Sequence, residues 1–183
     1  MTQVRPMRAD ARRNRERLLA VAAEAFAERG EGASLDDIAR RAGVGAGTLY
    51  RHFPTRRALL EAAYLDRIEA IAARAAVIAA ERAPGEALRE WLAELGAGMI
   101  RVRGLKTLLG AAGDTACGEC VRGAAGRLVR AAQEEGTLRP DVEPVEVLRL
   151  VHGVVTAAES AAGDAGADVR RYLSLLMGGL ERR

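Results

Sequence analysis

Apolar residues recur every three or four positions along most of this chain of 183 residues, which is the spacing of one face of an α-helix. The first predicted helix spans residues 12–29, and Gly30 follows where a helix would end. Residues 1–11 show no apolar period, so we expect a flexible basic arm there. No segment shows a convincing strand pattern, and the chain is therefore predicted to be all-α. The apolar face of the first helix consists of Leu18, Leu19, Ala22, Ala25 and Phe26.

Residues 34–53 predict two short helices separated by a tight turn. Ser34 stands at the N-cap of the first helix, and Gly43 ends that helix. On the second helix, Leu49 and Phe53 fall on one side while Thr48 and Arg51 fall on the other. A helix, a glycine-containing turn and a second helix form the helix-turn-helix, whose second helix enters the major groove of DNA.

This segment resembles the DNA-binding domain of the tetracycline-repressor-like (TetR) family of bacterial transcription regulators. The resemblance is carried by residues 47–53 (GTLYRHF), by Arg56 after them and by residues 26–30 (FAERG) upstream. It implies an N-terminal three-helix DNA-binding domain over residues 11–71, with the helix-turn-helix at about 34–53. It also implies a C-terminal helical domain over residues 72–183 for ligand binding and dimerisation.

The resemblance implies that Thr48 and Arg51 face base edges. It also implies that Tyr50, His52 and Arg56 hold phosphates. The second helix starts with two glycines, so we expect close backbone approach and DNA shape to contribute to specificity. A glycine inside a helix costs about 0.8 to 1 kcal/mol relative to alanine, so this helix is expected to be weak unless Gly45 lies at its very start. The predicted DNA-contacting residues are Ser34, Gly45, Ala46, Gly47, Thr48, Tyr50, Arg51, His52 and Arg56.

Charge is divided unevenly along the chain. Residues 1–57 contain 12 arginines and 7 acidic residues, a net charge of +5, whereas residues 58–183 carry a net charge of −2. The positive charge thus coincides with the predicted DNA-binding motif and favours attraction to phosphate. The chain has no apolar run of about 18 residues that would span a bilayer, and its N-terminus does not resemble a secretory signal. We expect a cytoplasmic protein with no membrane partner.

The C-terminal part predicts further helices. A long one over residues 56–82, about 40 Å in length, is a candidate lever between the two domains. The glycine-rich residues 110–126 are expected to be loosely helical and mobile. The last two helices, at about 144–162 and 168–181, are broadly apolar, and we expect them to pair with their copies in a homodimer, where the family also places its interface. The alternative is that these faces form only the core of a monomer. Other helices are predicted over residues 86–103 and 121–133.

A ligand pocket is predicted in the C-terminal domain, because such pockets are mostly apolar with a few polar groups. Its predicted walls are Trp91, Met99, Leu109, Cys117, His152 and Thr156. His152 has an alternative role as a core or interface histidine. The predicted function is a ligand-responsive regulator, and specifically a repressor, that binds a pseudo-palindromic operator in double-stranded DNA and is released by an unknown small molecule.

Two other classes of function remain open on the sequence. Cys117 and Cys120 form a C-x-x-C pair, which could belong to a thiol redox sensor or oxidoreductase, supply two zinc ligands, or be merely incidental thiols. A non-specific architectural DNA binder would show comparable affinity for any duplex at fixed salt. No nucleophile, base and orienting group converge by spacing, and no phosphate-binding loop is present. We therefore predict that the chain is not an enzyme and has no cofactor and no metal.

Overall fold

The computed structural model describes residues 5–110, 116–161 and 163–181, apart from the side chains of residues 5–11, 31, 103, 104, 107, 110, 116 and 117. These residues confirm the all-α prediction, and none of their helices is both long and apolar enough to cross a bilayer. A turn of 3-10 helix, Gly30–Gly32, follows the first α-helix. The α-helices are α1 (Arg5–Arg29), α2 (Leu35–Arg41), α3 (Ala46–His52), α4 (Arg56–Glu81), α5 (Pro84–Arg101), α6 (Arg103–Gly110), α7 (Ala116–Glu135), α8 (Pro144–Ser160) and α9 (Ala165–Leu180).

The start of α1 differs from the prediction. This helix begins at Arg5, so the flexible arm is wrong for residues 5–11, and residues 1–4 lie outside the described part. Pro6 is tolerated in the first turn of a helix, and Ala9 and Ala11 have the highest helix propensity. Apolar periodicity did not reveal this segment, because residues 5–11 show no apolar period.

The glycine-rich stretch also differs from the prediction in its second half. Residues 116–126 belong to the regular helix α7, while residues 111–115 lie outside the described part. The glycines weaken the intrinsic helix propensity, but Val121, Ala124 and Leu128 are buried on one face of α7. Tertiary packing of such a face contributes more to helix stability than propensity does.

The chain divides into two compact units, residues 1–65 and 66–183, and the division falls inside α4. In the first unit, α1 packs against α2 and α2 packs against α3 around a small apolar core. Tyr64 of α4 is buried, and its hydroxyl donates a hydrogen bond to the carbonyl oxygen of Ala23 at 2.9 Å. The fully or nearly fully buried side chains of this unit include Leu18, Ala22, Phe26, Ile38, Leu49 and Leu59.

The second unit is built around α5, which packs against α6, α7, α8 and α9. Trp91 of α5 is fully buried, and its indole N–H donates a hydrogen bond to the carbonyl oxygen of Ile71 at 2.9 Å. Gly96 allows α9 to approach closely, since a Cβ atom there would lie 2.9 Å from Cγ1 of Val169. Helices α6, α7 and α8 also pack against one another beside α5.

Candidate functional site

The turn between α2 and α3 has the geometry that a helix-turn-helix requires. Ser34 caps α2, with its hydroxyl oxygen accepting a hydrogen bond from the backbone N–H of Asp37 at 3.3 Å. Gly43 adopts a φ of +66°, a conformation that side chains with a Cβ rarely adopt. The backbone N–H of Val44 then donates to the carbonyl oxygen of Ala39 at 3.0 Å, which closes the turn. The direction of α3 is thereby set by α2.

Helix α3 is held on the core by one side only. Leu49 is fully buried, and Phe53, immediately after the helix, is 5% exposed. Gly45 is the N-cap of α3 and lies outside the helix, so Gly47 is the only glycine within it. Only one glycine therefore lowers the helix propensity of α3. The remaining side chains of α3 are therefore directed away from the core.

The outer side of α3 brings Gly47, Thr48 and Arg51 together. The guanidinium group of Arg51 donates one hydrogen bond to the carbonyl oxygen of Gly47 and another to the hydroxyl oxygen of Thr48, both at 3.2 Å. Within the described residues Arg51 meets no carboxylate, whereas Arg40 pairs with Asp37. The exposed face of α3 thus carries a positive charge that pairs with no acidic side chain in the described part of the chain.

The other predicted contact residues surround this face. Tyr50 is 46% exposed, and His52 is exposed with its ring centroid 6.3 Å from that of Phe53. Ser34 and Ala46 are also exposed. Arg56 is half-buried, and its guanidinium group donates a hydrogen bond to the carbonyl oxygen of Ala33, so this side chain also supports the segment that leads into α2.

A cavity of about 190 Å³ lies between α6, α7 and α8 of the second unit. Three of its lining residues, Arg122, Arg149 and His152, can donate hydrogen bonds from their side chains. None of the lining residues that the structure describes is acidic. The apolar part of the wall comes from α5, α6, α7 and α8. The lining residues are Met99, Leu108, Leu109, Gly118, Val121, Arg122, Val145, Leu148, Arg149 and His152.

Three of the six predicted pocket residues, Met99, Leu109 and His152, line this cavity. Trp91 does not, because it is enclosed in the core of the unit and bonded to the backbone of α4. Thr156 does not either, because it is exposed and its hydroxyl donates to the carbonyl oxygen of His152 one turn earlier. The side chain of Cys117 lies outside the described residues.

The sequence pattern did not indicate seven of the lining residues, and two of these are arginines. Charged residues at helical spacing usually face water, so Arg122 and Arg149 gave no distinctive signal. The available signal was the spacing of Val145, Leu148 and Arg149 relative to His152, since i, i+3, i+4 and i+7 share one face of a helix. The others missed are Leu108, Gly118 and Val121.

The thiol alternative gains no geometric support. Cys120 is a half-buried free thiol, and the position of the Cys117 sulfur is not described. Among the described residues, no group of three or more His, Cys, Asp or Glu side chains could hold a metal ion.

The outer surfaces of α8 and α9 carry exposed apolar side chains. Leu150 of α8 is 40% exposed and Leu175 of α9 is 68% exposed. Gly153 follows Leu150 by three residues and Gly179 follows Leu175 by four, so each glycine lies near its leucine on the helix surface. A Cβ atom at either glycine would contact no neighbouring side chain or helix within 4 Å. Leucine beside glycine on a helix surface permits close packing by another helix.

Both the N-terminal and the C-terminal part of the chain are similar to known transcription regulators. Residues 18–63 match the family model of bacterial regulatory proteins of the tetR family. Residues 83–182, more than half of the chain, match the C-terminal domain of SbtR-like transcriptional regulators. Over 48 residues the chain is 50% identical to an HTH-type transcriptional regulator of Staphylococcus aureus (strain USA300). That match covers 26% of each protein, so the chain spans about a quarter of the length of the curated relatives it matches.

Solved structures extend the similarity over nearly the whole chain. The TetR transcriptional regulator SCO0520 from Streptomyces coelicolor is 33% identical, with 92% of this chain and 98% of that chain covered and a TM-score of 0.57. A TetR transcription regulatory protein from Mycobacterium vanbaalenii is 36% identical, with 96% and 99% covered and a TM-score of 0.54. The chain therefore belongs to the TetR family of bacterial transcription regulators.

Proposed function

We propose that this protein is a cytoplasmic repressor that binds a pseudo-palindromic operator as a homodimer and leaves it when a small molecule occupies the cavity of the second unit. The observation that carries the proposal is the face of α3, which is anchored by fully buried Leu49 and presents Arg51 outward with no carboxylate partner among the described residues. An arginine on an exposed recognition helix can donate two hydrogen bonds to a guanine edge in the major groove.

The details of α3 support direct contact with DNA. A Cβ atom added at Gly45 or Gly47 would meet no protein atom within 4 Å, so the start of the helix is bare on its outer side. DNA could approach the backbone closely there. Thr48 and Arg51 would contact base edges, while Tyr50, His52 and Arg56 would contact phosphates, which position the protein without specifying sequence.

The apolar outer faces of α8 and α9 support the homodimer. Two copies that pair these helices would form a four-helix bundle and bury Leu150 and Leu175. A symmetric dimer explains why the operator should be pseudo-palindromic. Its two recognition helices must lie about 34 to 36 Å apart, or a multiple of this, to enter major grooves on one side of the duplex.

The Arg51→Ala variant is expected to lose about 1 to 3 kcal/mol of operator binding and to lose its preference at particular base pairs. The reason is that Arg51 supplies a bidentate donor, which alanine lacks. Fluorescence anisotropy with the operator and with single-base variants of it measures both effects.

The matched control for that experiment is Arg57→Ala. Arg57 pairs with Glu61 at 2.9 Å and is not among the predicted base-contacting residues. We expect this variant to weaken all duplexes equally, if it weakens any, with base preference unchanged. Equal losses on operator and random DNA for Arg51→Ala would exclude Arg51 from base contact.

Effector control is tested by filling the cavity. An effector that weakens operator binding a hundredfold requires a coupling free energy of about 2.7 kcal/mol, which is within the usual range. We expect Leu148→Trp, at a half-buried lining position, to retain operator binding and lose the response to compounds that release the native protein. Leu148→Ala, which enlarges the cavity, should keep the response. A native response in Leu148→Trp would place the effector elsewhere.

A further inference from the structure

The cavity between α6, α7 and α8 combines an apolar wall with cationic and donor groups in a regular arrangement. On α8 the lining residues are Val145, Leu148, Arg149 and His152, which occupy positions i, i+3, i+4 and i+7. On α7, Val121 and Arg122 repeat this pairing of an apolar residue with an arginine. Each of the two helices therefore presents at least one aliphatic side chain and one arginine to the cavity.

The charge of this lining favours one sign of ligand. Arg122 and Arg149 are permanently protonated donors, and His152 can donate from its ring in either protonation state. Among the residues that the structure describes, no acidic side chain lines the cavity. A carboxylate would gain charge-assisted hydrogen bonds from these donors, while an ammonium group would find no anionic partner among them.

Arg149 also lines a second, more open hollow, and two acidic residues, Asp141 and Glu146, line that hollow with it. Both are engaged elsewhere. Arg139 donates two hydrogen bonds to the carboxylate of Asp141, one of them at 3.0 Å, and this interaction lowers the pKa of Asp141 below its ordinary value. The carboxylate of Glu146 accepts the backbone N–H of Glu143 at 2.9 Å, completing the cap of α8.

Arg149 therefore forms no ion pair within the described part of the chain, and its charge is available to a ligand. The side chain is exposed enough to adjust to a ligand that enters from solvent. An arginine at the border between an apolar cavity and water is suited to bind the anionic end of a molecule whose other end is apolar.

The volume limits the size of that molecule. At about 190 Å³ the cavity is smaller than the roughly 300 to 1,000 Å³ of pockets for drug-sized ligands. It is comparable to an engineered apolar cavity of about 150 Å³ that accepts benzene. A single ring or a short acyl chain matches this space.

We infer that the effector is a small organic monocarboxylate with a compact apolar body, whose carboxylate is bound by Arg149 together with His152. The apolar body would contact the aliphatic lining, including Met99 and Leu109. This inference rests on the proposed function, because it takes the cavity as the effector site.

Paired probes test the charge requirement in the full-length protein. Isothermal titration calorimetry would compare benzoate with neutral benzyl alcohol, and hexanoate with neutral hexanol. At least one carboxylate is expected to bind about tenfold or more tightly than its neutral partner, which is the range for a hydrogen bond to a charged group. The inference is overturned if neither carboxylate binds, or if each neutral partner binds as tightly.

Arg149→Gln tests which side chain binds the carboxylate. It is expected to weaken carboxylate binding by about tenfold or more and to leave binding of the neutral partner unchanged. The control is Arg130→Gln on α7, an exposed arginine that does not line the cavity. Equal carboxylate affinities of the two variants would overturn the role of Arg149. Circular dichroism checks that both variants are folded.

Operator release, measured separately, distinguishes this inference from the proposed function. If a neutral compound binds the cavity and releases the protein from DNA while no carboxylate binds, the carboxylate effector is wrong and the proposed function stands. If a carboxylate binds as expected and operator affinity does not change, the anion site stands and the proposed effector control fails.

Discussion

The Leu175→Glu variant is expected to be a folded monomer that binds the operator about a hundredfold or more weakly than the native protein. Leu175 is 68% exposed, the largest exposed fraction among the large apolar side chains of the described residues. Substitution at such a position changes the stability of the subunit little. A buried carboxylate at the proposed four-helix interface would instead be strongly destabilising to the dimer.

The loss in DNA affinity follows from the loss of the dimer. When two recognition helices are linked in one molecule, the second half-site binds intramolecularly, which raises overall affinity by about 10² to 10⁴. Sedimentation velocity measures the oligomeric state, and fluorescence anisotropy measures operator binding. The control is Ser174→Glu, which introduces the same charge at an exposed position of α9. Ser174 precedes Leu175 by one residue and therefore lies about 100° around the helix from it. A dimeric Leu175→Glu variant with native affinity would exclude this surface as the interface.

The Phe26→Ala variant is expected to lose about 3 to 5 kcal/mol of stability, which is enough to unfold a large fraction of the DNA-binding unit. Phe26 is 1% exposed and belongs to the small apolar core of the first unit. Operator binding would be lost because α3 would no longer be held in place.

Hydrogen exchange separates this effect from a general loss of folding. Phe26→Ala should remove protection from residues 12–64, while residues of α5, α7 and α8 remain protected. The only tryptophan of the chain, Trp91, is buried in the second unit, so its fluorescence should be unchanged. The milder Phe26→Leu is the control and should retain most of the protection. Full protection in Phe26→Ala would show that this side chain is not central to the core.

The first unit could be predicted in detail because each of its local features has a short-range cause. Ser34 caps a helix through the residue three positions on, Gly43 supplies a positive φ, and Leu49 anchors the next helix. These features depend on neighbouring residues, so a sequence without coordinates reveals them. The start of α1 at Arg5 was missed, because residues 5–11 show no apolar period that would indicate a helix.

The cavity could be predicted only in part, for a reason that lies in tertiary packing. An apolar stripe shows which face of a helix is buried, but it does not show whether that face meets a neighbouring helix or a gap. Trp91 therefore gave the same signal as Met99, although the first fills the core and the second lines the cavity. Arg149 contributes to the cavity only because α6, α7 and α8 converge beside it.

Selection of bound duplexes from a random pool, followed by footprinting on the selected sequence, shows whether the protein binds a specific operator as a dimer. We expect enrichment of an inverted repeat, two protected half-sites with centres about 34 to 36 Å apart or a multiple of this, and one dimer per site. We also expect Arg51→Ala to change the enriched sequence. Comparable affinity for every duplex at fixed salt, with no enriched repeat, would exclude operator-specific binding and favour non-specific binding instead.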